Sequence, residues 1–524
     1  MRRRLIPFAL PLAVAGLVLA GCAVTAQPGS STDTSTSTSQ TTTETIAEVD
    51  STIPAAAADL LAANADGTVV KDDEWSIADA VDVTLSGATA TSSSSAVAVD
   101  GSTVTISAAG VYRLSGTLDG QVVVDAPEDA LVVLVLDGAT VTNADGSAIH
   151  VVSADDVAVN LAAGSTNTIT GASSADADAS AAIYADTDLT ISGSGSLTVT
   201  DSGNDGISAT DDLAIIGGTI TVDAADDGLR GKDSLVVKDG AVSITAGGDA
   251  LKSDQTDDAT QGYVWIAGGT IDATAGDDGI DAQTDAVVTG GAITLATDDD
   301  GIHSETALAI AGGQIDITRS YEGIESADIR IAGGATSVTS SDDGVNASGN
   351  STSGGGGMGG GGGMQDSGET LTISGGTLRI DADGDGLDSN GTISMTGGEV
   401  TVYGPTSNGN GALDSNGGIT VSGGTLVAIG SSGMAESPET SSAQGWLAAA
   451  VDGSDGSSIQ ITDATGAVIA SYTGVKDFQT VVFSSAAISS GQSYTVTVDG
   501  TATTVAAGQA VSGGMGGGMG GGRP

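Results

Sequence analysis

The sequence predicts an all-β fold, a parallel β-solenoid built from repeats of about 22 residues. An aliphatic anchor recurs after an acidic-glycine turn, a second glycine turn divides each repeat, and alternating aliphatic and polar residues flank that turn. The anchors are Ile207, Leu229, Leu251, Ile280, Ile302, Ile324, Val345, Leu387 and Leu413. Period-two alternation is typical of strands with one buried face, so we expect the anchors to stack in register.

The composition narrows the classes of function. The chain has 524 residues, with 14 Lys and Arg against 67 Asp and Glu, a formal net charge of −53. This charge excludes a nucleic-acid binder that works through a basic face. With 81 glycines and only 2% aromatic residues, the chain is also unlike an ordinary enzyme domain with a mixed core.

The N-terminus has the pattern of an export signal. Arg2, Arg3 and Arg4 precede an apolar stretch from Leu5 to Leu19, and the Leu-Ala-Gly-Cys sequence that ends at Cys22 resembles a bacterial lipobox. The resemblance implies a lipid on Cys22, the only cysteine, and a protein held at the extracellular face of the cytoplasmic membrane or in the cell envelope. The alternative is an ordinary signal peptide with an incidental cysteine.

Composition shifts divide the rest of the chain. We predict a lipoprotein signal peptide over 1–22, a Ser/Thr-rich tether over 23–65, the solenoid over 66–435 and a small antiparallel β cap over 436–511. A Gly/Met-rich insert at 348–368 and a Gly-rich tail at 512–524 complete the chain. We expect a monomer.

Acidic residues recur at the turn before the anchors. Two positions before the anchors stand Asp205, Asp227, Asp249, Asp278, Asp300, Glu322, Asp343 and Asp385, and one position earlier stand Asp226, Asp277, Asp299 and Asp342. Stacked carboxylates repel one another, and clusters of hard oxygen ligands suit calcium. We therefore predict that these aspartates hold Ca²⁺ between repeats. The alternative is that each aspartate caps its own turn by accepting backbone N–H bonds.

Basic residues are concentrated beside two of these turns. Arg230 and Lys252 follow successive anchors, and Lys232 lies next to them. Together with calcium they are candidates to bind the carboxylates of an acidic polysaccharide. The alternative is that they neutralise the neighbouring aspartates.

Few aromatic residues are available for stacking on sugar rings. Trp265 lies between the inward positions Val264 and Ile266, so we expect it to point outward beside Tyr263. The alternative is that Trp265 packs beneath the loop 254–261. No row of aromatic residues forms a flat platform, which disfavours crystalline cellulose as the principal ligand.

The order of motifs resembles a known family. The stretches TISAAGVYRLSGTLDGQVVVDAP and LDGATVTNADGSAIHVVSADDVAVNLAAGS, the Asp-Asp-Gly repeats and the late ASYTGVKDFQTVVFSS are similar to the bacterial carbohydrate-binding right-handed parallel β-helix family, of the clostridial cellulose- and polygalacturonate-binding type. The resemblance covers roughly residues 70–505. It implies a right-handed parallel β-helix of pectate-lyase-like shape that binds calcium and polysaccharide.

These observations predict a lipid-anchored, extracytoplasmic protein that recognises acidic polysaccharide such as polygalacturonate with calcium, and with cellulose as a further ligand. No catalytic residue is assigned. Two alternatives remain: a calcium-dependent polysaccharide lyase with Arg230 or Lys252 as the base, and a structural surface rod or adhesin.

Overall fold

A computed structural model describes residues 53–349 and 366–511, of which 54% are in strands and 3% in helices. The all-β class is confirmed. One α-helix, α1 (Ala55–Ala63), and one 3₁₀ turn (Ile77–Asp79) precede the strands, and neither is long enough to cross a membrane. Cys22, the signal peptide, most of the tether and insert, and the tail from 512 lie outside the described residues.

The strands follow one another with short connections. The first are β1 (Val81–Gly87), β2 (Ala90–Ser92), β3 (Val97–Asp100), β4 (Thr103–Ile106), β5 (Gly110–Asp119), β6 (Gln121–Asp125), β7 (Leu131–Thr142), β8 (Ile149–Ser153), β9 (Asp156–Leu161), β10 (Thr166–Gly171), β11 (Ala181–Ala185), β12 (Asp188–Gly193), β13 (Ser196–Asp201) and β14 (Asp205–Ala209). Next come β15 (Asp212–Ala224), β16 (Leu229–Gly231), β17 (Ser234–Ala246), β18 (Leu251–Ser253), β19 (Tyr263–Ile266), β20 (Thr270–Ala275), β21 (Ile280–Ala282), β22 (Asp285–Val288), β23 (Ala292–Ala296), β24 (Ile302–Ile310), β25 (Gln314–Arg319), β26 (Ile324–Ile331), β27 (Ala335–Ser340) and β28 (Val345–Ala347). The last are β29 (Thr370–Ile373), β30 (Thr377–Ala382), β31 (Leu387–Ser389), β32 (Thr392–Met395), β33 (Glu399–Tyr403), β34 (Ile419–Val421), β35 (Thr425–Gly430), β36 (Trp446–Gly453), β37 (Ser458–Thr462), β38 (Val468–Thr473), β39 (Phe478–Ser484), β40 (Ser493–Val498) and β41 (Thr501–Ala506).

The anchors of successive repeats pair in register, as their spacing predicts. Ile207 pairs with Leu229, Leu229 with Leu251, and the parallel pairing continues through β21, β24, β26, β28 and β31 to an isolated bridge at Leu413. The residues before and after each glycine turn form two further parallel stacks, exemplified by β12–β15–β17–β19 and β13–β15–β17–β20. Equivalent positions of neighbouring repeats therefore lie side by side.

The predicted right-handed parallel β-helix is nevertheless wrong as the architecture of this structure. Strands β7, β9, β12, β15, β13 and β10 pair in that order, all in parallel, and β10 pairs back to β7. The result is a closed six-stranded parallel barrel with many strands outside it. The physical reason is that β7 and β15 have 12 and 13 residues, long enough for each end to pair with a different strand.

The core lies between the stacks because side chains alternate along each strand. In β20, Ile271, Ala273 and Ala275 are buried while the intervening residues are exposed. The second glycine turn permits close stacking: Gly291 has φ +90°, and a Cβ on Gly290 would lie 2.3 Å from the carbonyl oxygen of Ala267 on the preceding repeat. A side chain at either position would strain the turn.

The C-terminal region differs from its predicted arrangement. A separate four-stranded antiparallel sheet has the order β38-β37-β40-β41. Strand β39, within the predicted cap, lies outside that sheet and pairs antiparallel with both β35 and β36 in the large sheet. By pairing with β35, β39 satisfies backbone groups that would otherwise remain at an open edge.

Thr336 interrupts an aliphatic column in the core. It pairs in register between Ile315 and Leu378, is buried, and its Oγ1 has no hydrogen-bond partner. An unpaired buried hydroxyl costs about 1–3 kcal/mol, so we expect Thr336→Val to raise the free energy of unfolding by about 1 kcal/mol in urea denaturation. The exposed Thr377→Val is the control, with a change near zero. A loss of stability in Thr336→Val would contradict the prediction.

Candidate functional site

The predicted carboxylates form a continuous column, here called the inner acid column: Asp205, Asp227, Asp249, Asp278, Asp300, Glu322, Asp343 and Asp385. Most aspartates of this column accept a backbone N–H from the equivalent residue of the next repeat. The amide of Asp249 donates to Oδ1 of Asp227 at 2.9 Å, and the amide of Asp278 donates to Oδ1 of Asp249 at 2.9 Å. The same bond joins Asp227 to Asp205, Asp300 to Asp278 and Asp385 to Asp343.

These bonds between successive repeats, here called the ladder, refine the alternative that the aspartates cap turns. Each bonded aspartate caps the turn of the following repeat, whereas the sequence suggested that it caps its own. Only Oδ1 takes part, so Oδ2 remains available for a cation. Oδ2 of Asp249 illustrates this, because it accepts from Nζ of Lys252.

Burial raises the pKa of most carboxyls in the inner acid column. The pKa is raised to about 6 for Asp227 and Asp343, to about 7 for Asp205, Asp278, Glu322 and Asp385, and to about 9 for Asp300. Neighbouring carboxylates add to the effect of burial, as Asp278 does for Asp300. The charged column is therefore unfavourable unless positive charge offsets it.

A second column, here called the mixed column, follows the anchors in register: Ser208, Arg230, Lys252, Asp281, His303, Glu325, Asn346 and Asp388. Each member lies three positions after a residue of the inner acid column, so the two columns run side by side. The basic residues of the mixed column all precede Glu325, and the members from Glu325 onward offer oxygen ligands.

Lys252 and Arg230 are both held in ion pairs. Nζ of Lys252 contacts Asp249 directly and lies 3.7 Å from Oδ2 of both Asp227 and Asp281. Arg230 bonds Oδ2 of Asp254 through Nη2 at 2.7 Å and Nε at 3.2 Å. These ion pairs fit the alternative that Arg230 and Lys252 neutralise neighbouring aspartates. Burial lowers the pKa of Lys252, but Asp227, Asp249 and Asp281 more than offset this effect and raise it, which makes Lys252 a poor base for proton abstraction.

His303 provides a third positive charge. Its Nδ1 lies 3.0 Å from Oδ1 of Asp281 and 3.9 Å from Oδ2 of Asp278. The hydrogen bond to Asp281 is the main reason that the pKa of His303 is raised to about 9, so the ring is protonated at neutral pH.

Two carboxylate clusters farther along the columns form no such ion pair. Oxygens of Asp300, Glu322 and Glu325 lie within 4.8 Å of one another, as do those of Asp385, Asp388 and Asp414. Within 53–349 and 366–511, no ion pair with Arg, Lys or His reaches either cluster. Burial, followed by neighbouring carboxylates, raises the pKa of Asp388 to about 8.

Asn346 places a neutral oxygen beside the first cluster. The residue is 8% exposed, its Nδ2 donates to Oε2 of Glu322 at 2.8 Å, and its Oδ1 receives no hydrogen bond. Carboxylate oxygens together with an amide carbonyl oxygen form the donor set that Ca²⁺ prefers. The residues therefore fit a calcium ion.

The aromatic candidates are covered. Trp265 lies outside the main core, as expected, but it is only 9% exposed and Tyr263 only 2%, so the predicted exposure is wrong. Both pack against helix α1, within the segment predicted as tether. Nε1 of Trp265 donates to Oγ1 of Thr289, and the Tyr263 hydroxyl donates to the carbonyl of Ala65. Neither ring offers a free face for a sugar.

Lys232 is partly buried in the turn after β16. Its charge acts on Asp211, whose pKa is raised by burial and by Asp188 and Asp233 while Lys232 opposes the rise. It does not join the ion pairs of Lys252 and Arg230. Its predicted role in ligand binding stays a prediction.

The predicted outer aspartates form a third column, here called the outer column: Asp226, Gly248, Asp277, Asp299, Tyr321, Asp342 and Gly384. Backbone bonds join it, as from the amide of Tyr321 to the carbonyl of Asp299 at 2.8 Å and from the amide of Asp342 to the carbonyl of Tyr321 at 2.9 Å. Asp277 and Asp299 are exposed and reach the inner acid column, because oxygens of Asp278, Asp299 and Asp300 lie within 4.8 Å of one another.

Several relevant residues were absent from the predicted site. Glu325, Asn346 and Asp388 belong to the mixed column and Asp414 follows the anchor Leu413, so all four lie outside the repeated aspartates before the anchors on which the prediction rested. Arg319, which was not among the predicted site residues, pairs with Asp298. A register shift between Leu295 and Ala296 hides that pairing from simple spacing.

Part of the chain is similar to carbohydrate-binding domain proteins. Residues 100–359 match the family described as "Carbohydrate-binding domain-containing protein". A protein with that description from Acetivibrio thermocellus is 38% identical over 126 residues, which are 23% of this chain and 44% of the relative. This chain is thus a homologue of carbohydrate-binding domain proteins, and it spans less than half the length of that relative.

One solved structure is similar, titled "Structure of the polysaccharide lyase-like protein from C. thermocellum, Gadolinium derivative". The identity is 35%, the alignment covers 44% of this chain and 95% of the other, and the TM-score is 0.43.

Proposed function

We propose that this protein binds acidic polysaccharide of the polygalacturonate type through calcium held on the inner acid and mixed columns. The homology to carbohydrate-binding domain proteins supports polysaccharide as the ligand class. The proposal includes a lipid anchor at Cys22 that holds the protein at the outer face of the cytoplasmic membrane or in the cell envelope.

One observation carries the calcium requirement: Asp300, Glu322 and Glu325 bring their oxygens within 4.8 Å and none of them forms an ion pair with a basic side chain of the described residues, beside the unpaired Oδ1 of Asn346. A chain with a net charge of −53 repels a polyanion, so a bridging cation is needed before uronate carboxylates bind. Calcium accepts six to eight oxygens, which leaves positions for a glycan carboxylate after the protein ligands are in place.

Affinity electrophoresis tests this function. The mature protein is run through gels that contain polygalacturonate, neutral pectin or a soluble cellulose derivative, each with calcium or with chelator. We expect polygalacturonate to retard it strongly in calcium and little in chelator, because calcium links two sets of carboxylates. Equal mobility in every gel would contradict the proposal.

Paired variants locate the site. Glu322→Gln/Glu325→Gln removes two charged ligands, and we expect it to abolish the calcium-dependent retardation. Asp119→Asn/Asp137→Asn makes the same change of charge at exposed positions elsewhere, and it should retain the retardation. Equal behaviour of the two variants would show that the cluster at Asp300 is not the site.

A further inference from the structure

Tyr321 differs from the other aromatic residues near the acidic columns. Its side chain is exposed, with 48% of its surface accessible, whereas Trp265, Tyr263 and Tyr403 are buried. It occupies a position in the outer column that is otherwise asparagine, aspartate or glycine. A large, partly apolar side chain at such a position has no role in the core.

Aspartates of the neighbouring repeats flank Tyr321 on both sides. Asp342 of the next repeat raises the pKa of Tyr321 to about 12, by hydrogen bonding and by its charge. The hydroxyl is therefore a donor at all ordinary pH values. On the other side, the backbone amide of Tyr321 donates a hydrogen bond to the carbonyl of Asp299.

A carboxylate cluster begins at the residue that follows Tyr321. Glu322 is the next residue in the chain and shares the cluster with Asp300 and Glu325. The unpaired Oδ1 of Asn346, in a side chain more than nine-tenths buried and bonded to Glu322 through Nδ2, independently indicates that the cluster receives a ligand. Arg319, whose side chain is 55% exposed, adds a positive charge two positions before the ring.

We propose that Tyr321 is the stacking platform of a uronate-binding subsite, on which one pyranose ring lies while its carboxylate reaches the cation at Asp300, Glu322 and Glu325. This inference rests on the proposed function. The apolar C–H face of a sugar packs on the tyrosine ring. Asp299 and Asp342 lie about one strand spacing, roughly 4.8 Å, to either side and accept hydrogen bonds from sugar hydroxyls.

The chemistry at this subsite selects a uronate over a neutral sugar. Stacking and hydroxyl contacts are available to any hexopyranose, but the bond to the cation requires a carboxylate. A neutral ring would leave the cation without that ligand. The subsite therefore combines a weak, general contact with a specific ionic one.

Titration calorimetry tests the subsite with Tyr321→Ala and Tyr321→Phe, using oligogalacturonate in calcium, a neutral cello-oligosaccharide, and calcium alone. We expect Tyr321→Ala to weaken oligogalacturonate binding about tenfold, the size of a lost stacking contact. Tyr321→Phe retains the ring and should stay within about threefold of the unaltered protein. Calcium affinity without glycan should remain unchanged in both variants.

Val468→Ala is the matched control, since it removes an exposed apolar side chain from the separate four-stranded sheet and should not alter binding. If the unaltered protein binds oligogalacturonate with calcium and Tyr321→Ala binds equally well, the inference is overturned while the proposed function stands. If the unaltered protein binds no glycan, both the inference and the proposed function are contradicted. If Tyr321→Ala also loses calcium, the ring supports the cation site rather than the sugar, and the inference is overturned.

Discussion

Calcium is expected to raise the melting temperature of this protein by several degrees at pH 8 and to have little effect at pH 5. The ligands proposed for the ion are carboxyls whose pKa burial raises to about 9 for Asp300, about 8 for Asp388 and about 7 for Glu322. Calcium binds the ionised form, so protons compete with it at low pH. A ligand at a hundred times its Kd stabilises the folded state by about 2.7 kcal/mol.

In chelator the pH dependence should run the other way. A carboxyl whose pKa is higher in the folded state than in the unfolded state, where it is about 4, holds more protons when folded. The stabilising contribution of these carboxyls is then fully present below pH 4. It is lost as the pH rises through their folded-state pKa values of about 6 to 9. The metal-free protein should therefore melt at a lower temperature at pH 8 than at pH 5.

Differential scanning calorimetry at pH 5, 6.5 and 8, with calcium or with chelator, measures both effects. Glu322→Gln/Glu325→Gln should flatten the pH dependence, because Glu322 no longer titrates, and it should reduce the gain from calcium, because two ligands are gone. A melting temperature that rises with pH in chelator would mean that these carboxyls are compensated by something other than calcium. Indifference to calcium at pH 8 would remove the main support for the metal site.

The register of the repeats was predictable, but their closure was not. An aliphatic residue after each acidic-glycine turn leaves one way to bury the anchors, so Leu229 and Leu251 pair as expected. The barrel depends on β7 and β15 being long enough to pair at both ends, and alternation of aliphatic residues does not mark where a strand ends. The local sequence pattern thus predicts which strands pair better than it predicts whether they close into a barrel.

The environment of individual side chains was harder to predict. Alternation correctly turned Trp265 away from the main core, yet the helix α1 that covers it begins 210 residues earlier in an alanine-rich stretch that resembles a linker. The two roles considered for the aspartates, turn cap and metal ligand, also proved compatible in geometry, because each carboxylate has two oxygens and the ladder uses one. Sequence alone does not show which oxygen faces outward.

Lys252→Met is expected to destabilise the protein by about 3–5 kcal/mol at pH 8, because it leaves buried carboxylates without their counterion. The ammonium group contacts Asp249 and lies 3.7 Å from Asp227 and Asp281, and its side chain is only 24% exposed. Methionine keeps most of the volume and removes the charge. Urea denaturation at pH 8 and at pH 5 measures the loss.

The loss should shrink at pH 5, where Asp227, with a pKa of about 6, is largely protonated and no longer needs the lysine. Arg113→Met is the matched control: its ion pair with Asp82 is 2.6 Å long but exposed, and such pairs contribute about 0–1 kcal/mol. A loss in Lys252→Met no larger than in Arg113→Met would show that water already screens the inner acid column. The carboxylates there would then need neither lysine nor calcium to remain charged.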